Sequence, residues 1–563
     1  MKTDLLAKEI KKHIEGDVEF DDKTLDANGK DTSLFSVRPQ LVVSPRHTKD
    51  VCALVHFLRM AKTSGKKLSL TARSGGTDMS GGPLTESIVV YFGKYMNKLY
   101  SVSLNIPLGA VSAKWDGSAV VEPGMYYRDF EAETMKQNLL LPSYPASREI
   151  CMMGGIVNNN SGGEKTLSYG KTDRYVSKLW MVLSDGNEYE IKKLSEHELF
   201  LKMTQDTFEG RIYKELYFLI QKNYRLLQEK KPQVSKNSSG YALSDVLDPH
   251  EKTFDLTKLF VGAQGTLGLM TKAEIQLVHP KPCKRMLVIF MKSTDILGDL
   301  VQEVLKFKPE SFESYDDNTM KVAMRFAPAL IRRLKGSLFS LARSFLPEVW
   351  MVMTGGLPKL VLLAEFTADT VEEALAQAEA CRLAVKSKYK LKMRVTQSDT
   401  ETEEYWIVRR ESFALLRKNV HGMHTAPFID DVAVHPRHLP EFLPHLNKLF
   451  EPYKILYTVA GHVGDGNFHI IPLMDLTKPR TKEIINELGP KVYDLVLEYK
   501  GSITGEHNDG IVRTPYVEKE FGSEVYNLFI QTKKILDPLN IFNPGKKVNG
   551  TVSYGDKHLL TQN

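Results

Sequence analysis

The chain has 563 residues, 42% hydrophobic and 26% charged, with a formal net charge of +6. This is the composition of a folded globular protein long enough for two or three cores, and no basic run with interleaved aromatics marks a nucleic-acid surface. Its 4 cysteines, Cys52, Cys151, Cys283 and Cys381, lie far apart with no C-x-x-C pair, which argues against iron–sulfur ligation, a zinc ribbon or a disulfide framework and fits a reducing compartment.

Residues 1–34 open with MKTDLLAKEIKKHIEGD, charged and heptad-like with no apolar h-region. A short helix and a polar linker are expected there, and no secretory signal. Pro39 to Val43 reads as an apolar strand ended by Ser44-Pro45. Thr48 is placed to N-cap the next helix, with Asp50 in its first turn and Val51, Leu54, Val55, Leu58 and Met60 on its apolar side. Lys67 to Ala72 is a strand that runs into Ser74-Gly75-Gly76-Thr77-Asp78-Met79-Ser80-Gly81-Gly82. Strand, helix, strand and glycine loop in that order suit an α+β nucleotide-binding domain, though no G-x-G-x-x-G opens a helix here. Ser87 to Tyr91 and Ser118 to Glu122 are further strands, followed by a turn at Pro123-Gly124 and a helix from Tyr127 to about Gln137.

Next comes Pro142 to Val176, PSYPASREICMMGGIVNNNSGGEKTLSYGKTDRYV. Such a run builds no packed core; it reads either as a surface loop or as bare backbone N–H groups and amides brought against a large polar ligand. The first glycine loop and a third, Gly262-Ala263-Gln264-Gly265-Thr266-Leu267-Gly268, favour the ligand. Between them stand a hairpin around Asp185-Gly186, a charged helical arm at 211–231 and a polar loop at Lys236 to Tyr241. Ala273 to Val278 closes this domain, and His279-Pro280-Lys281-Pro282 marks its boundary. From 283 onward, strands at Met286 to Met291, Leu360 to Phe366 and Lys454 to Ala460 alternate with helices such as Val371 to Ser387, a second domain with an antiparallel sheet. The apolar stretch Val349 to Phe366 is broken by Gly355-Gly356-Leu357-Pro358-Lys359 and cannot be a membrane span.

One further constellation carries chemistry. Thr458 to His462 ends a strand, Val463-Gly464-Asp465-Gly466-Asn467 turns, and Phe468-His469-Ile470-Ile471 returns. Across such a hairpin His462 and His469 can converge, and Glu506-His507 follows another expected strand, Ser502 to Thr504. Two imidazoles and a carboxylate make a divalent-metal site with open positions. Histidine alone is weak support, since 15 are spread over the chain and any pair can be solvated or core.

R-S-G-G-T-D-M-S-G-G, P-G-M, P-x-x-P-A-S with G-G-I-V-N-N-N-S-G-G, Y-G-K-T-x-x-Y-V and G-A-Q-G-T-L-G together resemble the FAD cradle of the vanillyl-alcohol oxidase superfamily. A-G-H-V-G-D-G-N-F-H, G-E-H-N-D-G and L-D-P-L-N-I-F-N-P-G-K are similar to its D-lactate, glycolate and D-2-hydroxyglutarate dehydrogenase branch, and the likeness runs from about 37 to 547. The resemblance implies an α+β chain: an N-terminal helical segment (1–34), a two-subdomain FAD-binding domain of PCMH type (35–282), an α+β substrate or cap domain with an antiparallel sheet (283–548) and a tail (549–563). It implies FAD held by Arg73, Ser74, Gly75, Gly76, Thr77, Asp78, Ser80 and Gly81 at the pyrophosphate. Pro142, Ala146, Ser147, Gly154, Gly155, Asn158, Asn160, Ser161 and Gly162 would line the isoalloxazine and ribityl parts, Gly170 and Val176 the adenosine side, and Asn543 the ring. No histidine stands where some relatives tether the flavin, so non-covalent FAD is expected.

The resemblance further implies His462, His469 and Glu506 as ligands of a divalent metal, zinc, manganese or iron, and His507 as the base. A 2-hydroxy acid would chelate the metal, His507 would take the hydroxyl proton while neutral, and a hydride would pass from C2 to flavin N5. Arg409, in W-I-V-R-R-E, aligns with the family's substrate-carboxylate arginine, and Arg410 reads as a solvated helix charge. Phe413 replaces the threonine one turn on, and Ala426 to Asp431 lacks the expected lysine, which tilts the substrate to D-lactate or glycolate over D-2-hydroxyglutarate. Electrons would go to an external quinone, electron-transfer protein or iron–sulfur partner. A cytoplasmic protein is expected, with peripheral contact to the inner membrane face left open. Two rivals are a net non-redox enzyme of the alkyl-glycerone-phosphate synthase type and a silent FAD subunit; neither need keep the histidine and glutamate set found here.

Overall fold

The computed structural model describes residues 2–105, 115–325, 356–419 and 423–560. Among these residues the fold is α+β, with strands in three sheets. The first sheet has the order Asp17–Glu19, Leu41–Ser44, Ile88–Tyr91, Leu70–Arg73. Its last three strands are parallel, because the helix Thr48–Thr63 crosses over and buries Val51, Leu54, Val55 and Leu58 on it. Met60, expected on that apolar side, is 73% exposed. The cap is His47, whose Nδ1 accepts from the Asp50 N–H; Thr48 is already helical. Asp50 is buried because it accepts from the N–H groups of Glu15, Gly16 and Arg46. The N-terminal segment is thereby more than a helix and linker: Thr3–Lys11 buries Leu6 and Ile10 in this core, and Asp17–Glu19 is a sheet strand.

The second sheet is antiparallel, in the order Leu99–Leu104, Gly117–Val121, Leu269–Leu277, Val176–Val182, Glu188–Ser195, Thr253–Asp255, Leu247–Asp248. Its core includes Tyr127, Phe130, Leu216, Ile220 and Phe254, and also Val517, Phe521, Val525 and Phe529 from the helix Val517–Leu536. A helix from the far end of the sequence thus completes the core of the first half.

The third sheet, also antiparallel, runs Lys392–Val395, Cys283–Met291, Leu360–Ala368, Ser311–Asp316, Leu456–His462, Asn467–Met474, His424–Thr425. Leu360–Ala368 is buried throughout as a sheet strand, and residues 349–355 of the apolar stretch lie outside the described residues. No helix among the described residues is long and apolar enough to cross a membrane. The hairpin expected at 458–471 forms, with Ala460 opposite His469 and His462 opposite Asn467. Ser502 to Thr504 is not a strand; only Ser502 bridges Ala433. The Asp431 carboxylate takes the Thr504 hydroxyl and the Glu506 and His507 N–H groups just beyond.

Candidate functional site

Three glycine loops meet at one groove. The first follows the strand Leu70–Arg73, and the second begins as the helix Met153–Asn159. The third is bonded to both: Asn158 accepts from Gln264 N and Gly265 N, and Asn543 Nδ2 donates to the carbonyls of Gly82 and Gln264. Asn543 also accepts from Thr71 Oγ1, so it is the buried knot of the two loops. Ser80 ties the first loop to the second domain, its carbonyl accepting from Ile511 N at 2.8 Å.

The groove fits a diphosphate-bearing cofactor. Among the described residues, the N–H groups from Ser74 through Met79 meet no protein acceptor, while Asp78 turns inward to accept from Ser80 N and Gly82 N. Such a run of N–H groups suits an anion. A methyl on Gly155 would touch only Ser74 Cβ, at 3.7 Å, so open space remains beside the helix start. The Arg73 guanidinium folds back against Gly76 of this run, donating to the Lys30 carbonyl and keeping a buried Nη1 without partner. Pro142 and Ser161 are buried, Ser147 half-buried and Ala146 exposed along the second loop; Asn160 accepts from Asp173 N, and Gly170 packs against the Arg174 side chain. Val176 is the buried first residue of its strand.

The histidines do converge. His462 Nε2 lies 3.4 Å from His469 Nε2 and 3.5 Å from Glu506 Oε2, and His469 Nε2 lies 4.0 Å from the same oxygen. Three donor atoms within this span, each on a residue whose other polar atom is engaged, fit a divalent cation. The engaging partners went unassigned in the sequence. Glu313 Oε1 holds His462 Nδ1 at 2.6 Å, and Lys236 Nζ holds Glu506 Oε1 at 2.5 Å. Asp430 Oδ1 takes His469 Nδ1 at 3.2 Å, and its Oδ2 lies 2.8 Å from His507 Nδ1, with the ring turned off the ideal bonding line. Asp431 is also within reach of His469, Glu506 and His507, but its oxygens are spent on Asn467 Nδ2 and the 504–507 segment, which makes it a clamp rather than a ligand. A charged residue inside a short buried strand was the available signal for Glu313, and the Asp430-Asp431 pair for the others.

Burial alone would lower the pKa of His462, but Glu313 and Glu506 outweigh it and push it up to about 9. His507 behaves alike: Asp431 and Asp430 overcome burial and hold it up at about 9. The two carboxylates thus favour the protonated form of the His507 ring, which the sequence reading takes as neutral when it accepts a proton. Glu506, despite burial, is held well below the usual carboxylate range by Lys236 and His462.

Arg409 reaches this cluster, its Nη2 2.9 Å from Glu313 Oε2, with a buried Nε that has no partner. Arg410 is turned elsewhere, pairing with Glu164 and Glu403. The side chain of Phe413 lies outside the described residues. The cluster abuts the glycine groove: Asn159 Nδ2 donates to the Glu506 carbonyl at 3.0 Å, and a methyl on Gly162 would stand 3.0 Å from Glu506 Oε1.

Residues 39–192 match the FAD binding domain and residues 281–547 match the domain described as FAD linked oxidases, C-terminal domain. The chain is 25% identical over 536 residues to a D-2-hydroxyglutarate dehydrogenase of Pantoea ananatis, covering 92% of this chain and 48% of that protein. It thus spans about half the length of the first curated relatives it matches. It is also 25% identical to the glycolate oxidase subunit GlcD of Bacillus subtilis, over 96% of this chain and 97% of that one. In fold it is similar to the 4-ethylphenol oxidase from Gulosibacter chungangensis, with a TM-score of 0.66 at 17% identity over 98% of each chain.

Proposed function

For a chain that belongs to the FAD-linked oxidases, carrying their FAD binding domain and their C-terminal domain, we propose oxidation of a small D-2-hydroxy acid, D-lactate or glycolate, to the 2-oxo acid. The matched FAD binding domain is the premise; the oxidoreductase activity, the substrate, the cation and the acceptor are the proposal. The observation that carries it is the hydrogen bond from Asn159 Nδ2 to the Glu506 carbonyl, which sets an imidazole–carboxylate cluster beside the second glycine loop.

When bound, FAD would supply the two-electron acceptor and a divalent cation the Lewis acidity that eases loss of a hydroxyl proton. His462, His469 and Glu506 would hold the cation, and the glycine loops at Ser74 to Met79 and Gly154 to Gly162 the FAD. His507 would take the proton, which it can do only once the acidic field of Asp431 and Asp430 around it is offset. Arg409 would hold the substrate carboxylate, its unpartnered Nε offering the donor. The relatives named for D-2-hydroxyglutarate support a longer acid as the second reading. Electrons would leave to an external carrier, since the chain has neither a dinucleotide fingerprint nor clustered cysteines.

The test is anaerobic flavin bleaching by D-lactate, glycolate and D-2-hydroxyglutarate, with metal content measured before and after chelation. Bleaching by a short acid that stops on chelation and returns with a divalent ion is expected. Bleaching at the native rate by metal-free protein rejects the cation, and bleaching by D-2-hydroxyglutarate alone rejects the short acid.

A further inference from the structure

We propose that Asp430 is a positioning residue that sets the ligating imidazole and the proton-accepting imidazole together. The inference rests on the reading of His462, His469 and Glu506 as cation ligands. Asp430 is fully buried, and its two oxygens face two rings: Oδ1 is hydrogen-bonded to His469 Nδ1 at 3.2 Å, and Oδ2 lies 2.8 Å from His507 Nδ1 with that ring turned off the bonding line. The rings lie nearly parallel, 23° apart with centroids separated by 5.0 Å. The backbone beneath is fixed, since the Asp430 carbonyl accepts from Arg513 Nη2 at 2.5 Å and Asp431 clamps 504–507. His462 has its own Nδ1 carboxylate in Glu313, whereas Asp430 faces the Nδ1 atoms of two rings.

An N–H on Nδ1 leaves Nε2 with the lone pair that binds a cation or accepts a proton. A carboxylate can hold two such rings, one on each oxygen. An amide cannot, because it offers one acceptor and one donor. Asp430→Asn therefore turns one ring to the other tautomer, with its proton on Nε2, where it neither ligates nor accepts. The longer contact belongs to His469, so that ring is the one released.

The purified FAD-containing protein is titrated with zinc against a chromophoric chelator, and with cobalt followed by its visible d–d absorption. Wild type, Asp430→Asn, Asp430→Glu and His462→Ala are compared. Zinc affinity in Asp430→Asn is expected to fall about 10–100-fold, with flavin absorbance and melting temperature unchanged. Asp430→Glu, which keeps two acceptor oxygens, should recover most of the loss and the cobalt spectrum. Zinc affinity within twofold of wild type in Asp430→Asn overturns the proposal, as does a glutamate variant as weak as the asparagine one. Where Asp430→Asn loses its flavin, Asp430→Ser takes its place in the comparison. Wild type that binds zinc no better than His462→Ala overturns the cation site itself, and this inference with it.

Discussion

At the residue scale, Arg409 has two duties. It neutralises one oxygen of Glu313, which holds His462, and it keeps an unpartnered Nε. Arg409→Ala is expected to lower kcat/KM by the equivalent of ~2–5 kcal/mol, the usual cost of leaving a buried charge unpaired. Arg409→Lys keeps the charge without the fork and should fall between; kinetics unchanged in both exclude a carboxylate anchor. Glu365 gives a pH signature away from the site. Burial and the charge of Glu310 raise it to about 7, against the bond it accepts from Trp406 Nε1. A carboxyl raised on folding stabilises fully below its unfolded value and loses that contribution as pH rises through its folded value. Stability should thus decline between about pH 4.5 and 7 by on the order of 3 kcal/mol from this group. Glu365→Gln should remove the decline, seen as denaturant midpoints that converge with wild type at acid pH and exceed it at pH 8.

At the element scale, the hairpin Leu456–His462 and Asn467–Met474 depends on its turn. Gly466 has a φ of +65°, and a methyl there would meet the Val434 carbonyl oxygen at 1.8 Å, so neither conformation nor space admits a side chain. Gly466→Ala should cost on the order of 1–3 kcal/mol from backbone strain alone and scatter the two imidazoles. The measurement is melting temperature beside zinc binding; a variant with wild-type values in both removes the turn from the account of the site. This hairpin was legible in sequence because glycines bracket an aspartate between two apolar runs. So were the three glycine loops and most strands of the first half. Glu313, Lys236 and Asp430 were not legible in their roles, since each acts on a partner more than a hundred residues away or through a neighbouring fold element, and pattern within a window cannot see that pairing. The false strand at Ser502 to Thr504 has the same origin, its backbone groups pairing with Ala433, Ser238 and the Ser502 hydroxyl rather than along a strand ladder.

At the scale of the whole molecule, FAD is expected to be held without a covalent bond. Thr77 lies in the first loop where an imidazole could have stood, and Cys151, beside Gly75, is buried with its thiol pushed up to about 12. Acid precipitation should therefore release the yellow colour to the supernatant; flavin in the pellet would contradict this. The helix Val517–Leu536, seated in the core of the first half, also sets an order of assembly. On the ribosome this core lacks Phe521, Val525 and Phe529 until the third sheet has also been made. The flavin half is completed only by residues made after the third sheet, and a nascent chain halted before residue 517 presents an open apolar seam to chaperones rather than a completed domain.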